Sequence, residues 1–470
     1  MRPPGGRSAA LGALLAVAGC NGASEDLVEP TCVAPVVSRA TAMADPANAL
    51  RAFVHGVVSG ADSVVVRFGT DATRDGMSPA IVPVGDSIVT PLLGLEAARR
   101  YGAQLVAYNR CSTSASDVVA FETSALPPDL PRYTAEGTHP SPGYVVFGAG
   151  SYGLVIDNTG RVVWYHRFPQ GPGLNFQAQP NGRYTARLPS PAGVAGSWVE
   201  IAPTGELTRT LGCSGGLQPR MHDMIALPDG GYWLLCDEVR TVDLSAQSAS
   251  SVARVSGTSV QHRSASGDVL FAWSPFERFA IELDVLDAAD RNAAVINWTH
   301  GNALDLDVDG NLVVSFRNLS EVTKIDTRTG AVVWRMGGEH NQFTFEDVVE
   351  RPVFTRQHGV RALGGGQLLL LDNLGHSLGS RAERYVVDES RRSARLSGAY
   401  ASAAGLVAQV GGTTQALSGG HTLVSYGSGG GVEEYDPTGR VVWRLTGNPG
   451  YVFRAQRIRS LYRPGAGDPR

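Results

Sequence analysis

The chain has 470 residues, 40 Lys+Arg against 44 Asp+Glu and 57 glycines. It is long enough for two domains, and it has no charge excess or basic run suited to nucleic acid or an anionic membrane surface. Lys324 is the one lysine in the sequence, which excludes chemistry resting on several lysines. Short apolar runs between Gly- and Pro-containing turns read as β-rich rather than helical.

At the N-terminus, Arg2 and Arg7 flank the apolar stretch Ala9–Ala18, too short to span a bilayer and typical of a signal-peptide core. It ends in Leu15-Ala16-Val17-Ala18-Gly19-Cys20, which resembles a bacterial lipoprotein cleavage site. Residues 1–20 are therefore expected to direct export, with Cys20 lipidated and the protein anchored to a bacterial membrane, periplasmic or outer-membrane, rather than spanning it. In an oxidising compartment Cys32, Cys111, Cys213 and Cys236 become disulfide candidates. Three connectivities are open; domain boundaries favour Cys32–Cys111 and Cys213–Cys236.

Residues 30–125 contain the β-rich runs Leu50–Val58, Ser63–Phe68, Ala80–Val84 and Tyr101–Asn109 and read as a small sandwich. Leu93-Gly94-Leu95 followed by Tyr101–Asn109 resembles the final hairpin of a fibronectin type III domain. Leu126-Pro127-Pro128-Asp129-Leu130-Pro131 stiffens the link between this unit and the C-terminal part of the chain.

From about 140 to 455 the chain repeats. One element is Asp-x-x-Gly-x-Val-Val-Trp, at Asp157 to Trp164 and Asp436 to Trp443, with a one-residue insertion at Asp326 to Trp334. A hairpin turn alternates with it, around Gly182, Gly230, Gly310, Gly366 and Gly420. Copies of ~50 residues, about six in all, predict an all-β six-bladed β-propeller preceded by the fibronectin III-like sandwich. Ring closure is expected to join Tyr144–Trp164 with Glu433–Trp443.

His222, His300 and His358 precede the turn glycines 230, 310 and 366 by 8, 10 and 8 residues. A shared phase places all three at one mouth of a central channel. Arg317 closes the run Leu312–Arg317 just after His300, where strand alternation could return it to the same place. Three imidazoles and a guanidinium suit a tetrahedral anion. Three histidines could equally hold zinc or copper, with Asp223 the nearest carboxylate in phase, which makes a His-ligated metallohydrolase the alternative chemistry.

Trp298-Thr299-His300-Gly301-Asn302, Ser315-Phe316-Arg317, Gln357-His358, Leu371-Asp372-Asn373 and His222-Asp223 together resemble the bacterial arylsulfate sulfotransferase family over residues 140–450. The resemblance implies a nucleotide-independent sulfotransferase that needs no cofactor or metal and uses an aryl sulfate donor and a phenolic acceptor. By it, the nucleophilic histidine falls on His358, and His222, His300 and Arg317 hold the sulfuryl group. Asn302, Gln357 and Asn373 are the accompanying substrate-binding candidates. The chain departs from the family where some members carry a disulfide just before the Gln-His pair, and a lipid anchor is not general among them. A propeller with no activity, serving as a binding platform, is the remaining class.

Overall fold

The computed structural model describes residues 32–169, 174–189, 196–346, 353–375, 379–447 and 449–470. Cys20 and the rest of residues 1–20 lie outside the described residues. Among those residues the protein is all-β, and α-helix is confined to Ala288–Arg291.

Residues 36–122 form two sheets. One holds Val36–Ala44, Arg51–Ser59 and Ser87–Leu93; the other centres on Ser63–Gly69 paired with Arg100–Tyr108. Their alternating apolar faces meet in one core that includes Val54, Leu92, Val66, Leu105 and Phe121. Ala80–Val84, expected as a strand, is not one: only Ile81 bridges to Val64, and Val82 and Val84 are exposed. Its β-prone residues have no partner strand, whereas Ser87–Leu93 pairs along Arg51–Ser59. The Cys32–Cys111 disulfide ties this unit's first residues to the end of its sheet.

Six further sheets cover residues 134–458 among the described residues, each built on four antiparallel strands, joined by hairpins in all but the sheet that pairs Tyr144–Ala149 with Ala455–Ile458. Their leading strands are Leu174–Ala178, Gln218–Ala226, Gly301–Leu306, His358–Gly364, Thr413–Ala416 and Ala455–Ile458. Each touches the next, and the last touches the first. The glycine turns sit between first and second strands as the repeat predicts. The repeated tryptophans lie on outer strands and fill the gaps between sheets: Trp164 stacks on Phe176 of the adjacent sheet, its ring centroid 5.6 Å away.

Closure differs from the expectation. Tyr144–Trp164 and Glu433–Trp443 belong to different sheets. Tyr144–Ala149 pairs with Ala455–Ile458, while Thr134–Gly137 adds an outer strand to Val441–Thr446. The sheets thus draw on residues just outside 140–455, and two strand exchanges tie the chain's early and late segments together. The Cys213–Cys236 disulfide forms as expected and links the segment after Leu207–Leu211 to strand Tyr232–Val242 of the next sheet.

Candidate active site

The three phased histidines come together. Nε2 of His300 lies 3.3 Å from Nε2 of His222, and the His222 and His358 ring centroids are 6.2 Å apart. They reach the cluster by different local routes. His358 opens its sheet's leading strand, and His300 directly precedes strand Gly301–Leu306. His222 sits inside strand Gln218–Ala226, where the register slips between Pro219 and Met224. The glycines next to two of them are structural: a Cβ on Gly301 would lie 2.9 Å from Cβ of Thr258, and one on Gly359 would lie 2.8 Å from Cα of Thr413. Gly301 thus lies too close to strand Ala253–Arg263 of the preceding sheet, and Gly359 too close to the leading strand of the following one, for any larger residue.

His358 is buried and held by its Nδ1. That nitrogen is 2.8 Å from Oδ1 of Asn373 and 3.1 Å from the Arg356 carbonyl oxygen. Asn373 cannot present its other face, because its amide group donates to the carbonyls of Ala408 and Gly411 at 2.7 and 2.9 Å. With two acceptors facing it, Nδ1 carries the proton and Nε2 keeps its lone pair. The Gly411 N–H accordingly donates to Nε2 at 3.3 Å. Burial, opposed by the Asn373 hydrogen bond and aided by the charge of Arg317, lowers the His358 pKa to about 4.

Burial and then the charge of Arg220 hold both His222 and His300 well below the usual imidazole range. All three rings are therefore neutral near pH 7. The sign of the resulting pH dependence is fixed. An unfolded histidine takes a proton near its ordinary 6.5, whereas folded His358 resists until about 4. Its contribution destabilises the fold progressively as pH falls from about 6.5 to 4, by about 3 kcal/mol in full. Urea unfolding across that range should show the decline, and His358→Gln should make it shallower; an equal decline in the variant would assign it to other groups.

Arg317 is not on a strand as expected. Its strand ends at Phe316, and Arg317 opens a single 3-10 turn, Arg317–Leu319, whose Arg317 N–H donates to the His300 carbonyl at 3.0 Å. That backbone bond, rather than strand alternation, places it beside His300. One Nη1 donates to Oδ1 of Asn318 at 2.8 Å, while its buried Nε has no partner. Burial, then the charge of Arg356, lowers its pKa. A buried guanidinium N–H without a protein acceptor is free to donate to an incoming one.

Five residues of this neighbourhood carry no repeat signal. Arg220 anchors its Nε on the Gly301 carbonyl at 2.7 Å. Arg356, at φ +59°, reaches Asp287 at 2.6 Å and Asp290 at 3.2 Å. Asp290 also lies 3.9 Å from Arg317 and accepts from Asn297 at 2.7 Å. Asp287, Asp290 and Asn297 belong to an excursion outside the repeat, with Asp290 on the short helix Ala288–Arg291 and Asn297 on strand Ile296–Asn297, which pairs in parallel with Ala253–Arg263; only the unusual charge density of Asp284, Asp287 and Asp290 marks it in the sequence.

The remaining sequence candidates sit behind the rings. Asn302 donates to the Gln357 carbonyl at 2.7 Å. The Gln357 amide donates to Oγ of Ser315 at 2.9 Å and to the Glu321 carbonyl at 3.0 Å. Asp223 turns away to Arg361 and Arg454, at 3.1 and 3.0 Å. Burial alone would raise its pKa, but those guanidinium groups hold it below the carboxylate norm. Among the described residues no group of three or more His, Cys, Asp and Glu side chains is disposed to hold a metal.

Fold and site thus define an all-β protein of antiparallel sheets that gathers three neutral imidazoles around a guanidinium. Residues 219–448 match the arylsulfotransferase (ASST) family; this stretch, about half of the chain, holds all four of those residues and supports an assignment to that family. No curated protein matches the chain. Partial likenesses among solved structures include a protein of unknown function from Bacteroides caccae, 15% identical with TM-score 0.43, covering 68% of this chain and 100% of that one. Another is catalytically inactive virginiamycin B lyase from Staphylococcus aureus with quinupristin, 9% identical with TM-score 0.35, covering 67% of this chain and 99% of that one. At such scores the fold rests on its own sheet topology.

Proposed function

We propose that the chain transfers a sulfuryl group from an aryl sulfate to a phenol through a sulfo-histidine on Nε2 of His358. The observation that carries this reading is the orientation of His358: with Nδ1–H spent on Asn373 and Arg356, an unprotonated Nε2 is left beside a guanidinium with an unpartnered N–H. In the first half-reaction the Nε2 lone pair forms the N–S bond, the S–O bond breaks, and its electron pair leaves on the phenol oxygen. In the second, the acceptor oxygen takes the sulfuryl group and returns the electron pair to Nε2, so one difficult transfer becomes two. Arg317 with His222 and His300 stabilises charge on the sulfuryl oxygens, and a neighbouring imidazole moves the phenolic proton. Phe453, whose ring centroid is 5.7 Å from that of His222, supplies an aromatic wall suited to an aryl group. The reading takes the six sheets as six propeller blades over residues 140–455 and the preceding unit, 30–125, as a fibronectin III-like module. It requires neither a metal nor a nucleic acid.

Incubating the pure protein with a chromogenic aryl sulfate, with and without phenol and chelator, tests the reading. Release stimulated by phenol and indifferent to chelator supports transfer. Chelator-sensitive release makes the protein a metallohydrolase, and silence makes it a binding platform. The export reading is likewise a proposal: Cys20→Ala should free the protein from membranes or block its processing, and unchanged mass and membrane association would remove the anchor.

A further inference from the structure

Nδ1 of His300 lies 2.8 Å from Nδ2 of Asn297, and the same amide nitrogen donates to Oδ1 of Asp290 at 2.7 Å. The Asp290 oxygen can only accept from it, so the amide cannot be turned over without setting oxygen against oxygen. His300 Nδ1 therefore meets an N–H and must accept from it. Its proton sits on Nε2, aimed at Nε2 of His222 across 3.3 Å, which makes His222 Nε2 an acceptor with its own proton on the buried, unpartnered Nδ1. The backbone reinforces the arrangement: His300 is a non-glycine residue at φ +49°, a left-handed conformation that persists only where its surroundings impose it.

We infer that Asn297, oriented by Asp290, is a positioning residue that denies His300 a second proton, so that His222 is the acid and base of the reaction and His300 a neutral hydrogen-bond donor. A neutral imidazole donating Nε2–H would have to become an imidazolate to give its proton away, which is out of reach near neutral pH. His222 has the free lone pair. Arrival of an anionic aryl sulfate favours uptake of a proton from solvent onto His222 Nε2. That proton passes to the departing phenol oxygen as the S–O bond breaks, and the acceptor's phenolic proton returns to the same nitrogen when the sulfuryl group leaves His358. His300 Nε2–H meanwhile turns its hydrogen bond to a sulfuryl oxygen. The charged and titratable groups acting on His300 are Arg220, His222, Arg317 and His358, together with Asp290 through Asn297.

This inference rests on the sulfotransfer reading and is tested apart from it. Glutamine keeps an N–H near the position of Nε2 and cannot exchange protons at this pH. With donors of graded phenol acidity, His222→Gln should lose more activity the poorer the leaving group, by about 10²-fold or more for the poorest. His300→Gln should slow all donors by a similar factor. The reverse pattern overturns the assignment. Nitrogen-15 imidazole spectra of the wild-type protein, which need no variant to fold, should show His300 protonated on Nε2 alone at neutral pH. Asn297→Asp, which offers Nδ1 an acceptor, should give His300 a second proton. A wild-type proton on Nδ1, or no change of protonation in that variant, removes the positioning role. If the wild-type protein transfers nothing, the sulfotransfer reading itself falls, and the division of labour falls with it, whereas a reversed leaving-group pattern in an active protein removes the division alone.

Discussion

His358→Ala should lose on the order of 10⁴-fold or more of the transfer rate, the scale of deleting a covalent nucleophile, while the protein stays folded. The side chain is hydrogen-bonded to the scaffold through its two ring nitrogens, Nδ1 to Asn373 and the Arg356 carbonyl and Nε2 to the Gly411 N–H, and Asn373 remains fixed by the Ala408 and Gly411 carbonyls without it. The loss is therefore chemical. With the wild-type protein, kinetics should be ping-pong, giving parallel double-reciprocal lines for donor and acceptor. Quenching with donor alone should add one sulfuryl group to the peptide containing His358. A label on His222 or His300 instead would move the nucleophile, and near-normal turnover by the alanine variant would remove the sulfo-histidine.

The neutral state of His358 shapes the rate profile as well. Because its pKa is lowered to about 4, the nucleophile is fully available at neutral pH, and sulfation of the enzyme should fall only as pH drops toward 4. An ordinary exposed imidazole would begin to lose its lone pair near 6.5.

Much of this was legible because it is periodic. A histidine repeated in phase with a turn glycine is expected near one end of successive leading strands, and the rings of His222, His300 and His358 do converge, although one lies inside its strand, one just before it and one at its start. The tryptophans and hairpin glycines are legible for the same reason. Closure was not legible, since Thr134 and Thr446 meet from 312 residues apart and edge strands carry no mark of their partner. Ala80–Val84 misled because its β-prone, apolar composition is satisfied with only the Ile81–Val64 bridge as a partner, and Pro83 has no N–H to offer a neighbouring strand. Arg317 was correctly associated with His300 on the wrong grounds: a turn and one backbone hydrogen bond do what strand alternation was expected to do. Asn297 and Asp290 escaped notice because they lie on an excursion that obeys no repeat, and their role emerges only once the amide is seen between carboxylate and imidazole.

Arg317→Ala should leave a slow but measurable enzyme, reduced on the order of 10²–10³ in turnover with donor binding affected less, as expected when one charge-stabilising donor is deleted. The structure separates that outcome from unfolding. Asp290 keeps Arg356 at 3.2 Å when Arg317 is gone, and the backbone bond from residue 317 to the His300 carbonyl does not involve the side chain. What disappears is the buried Nε–H that has no partner in the protein and the positive charge that helps hold His358 neutral. Arg317→Lys should recover only part of the rate, because an ammonium supplies charge without the planar fork that can span two sulfuryl oxygens. Full activity in Arg317→Ala would mean that Arg220 carries the anion instead. A matching loss in Arg317→Ala and Arg317→Lys would show that the fork geometry, rather than the charge, stabilises the transferring group.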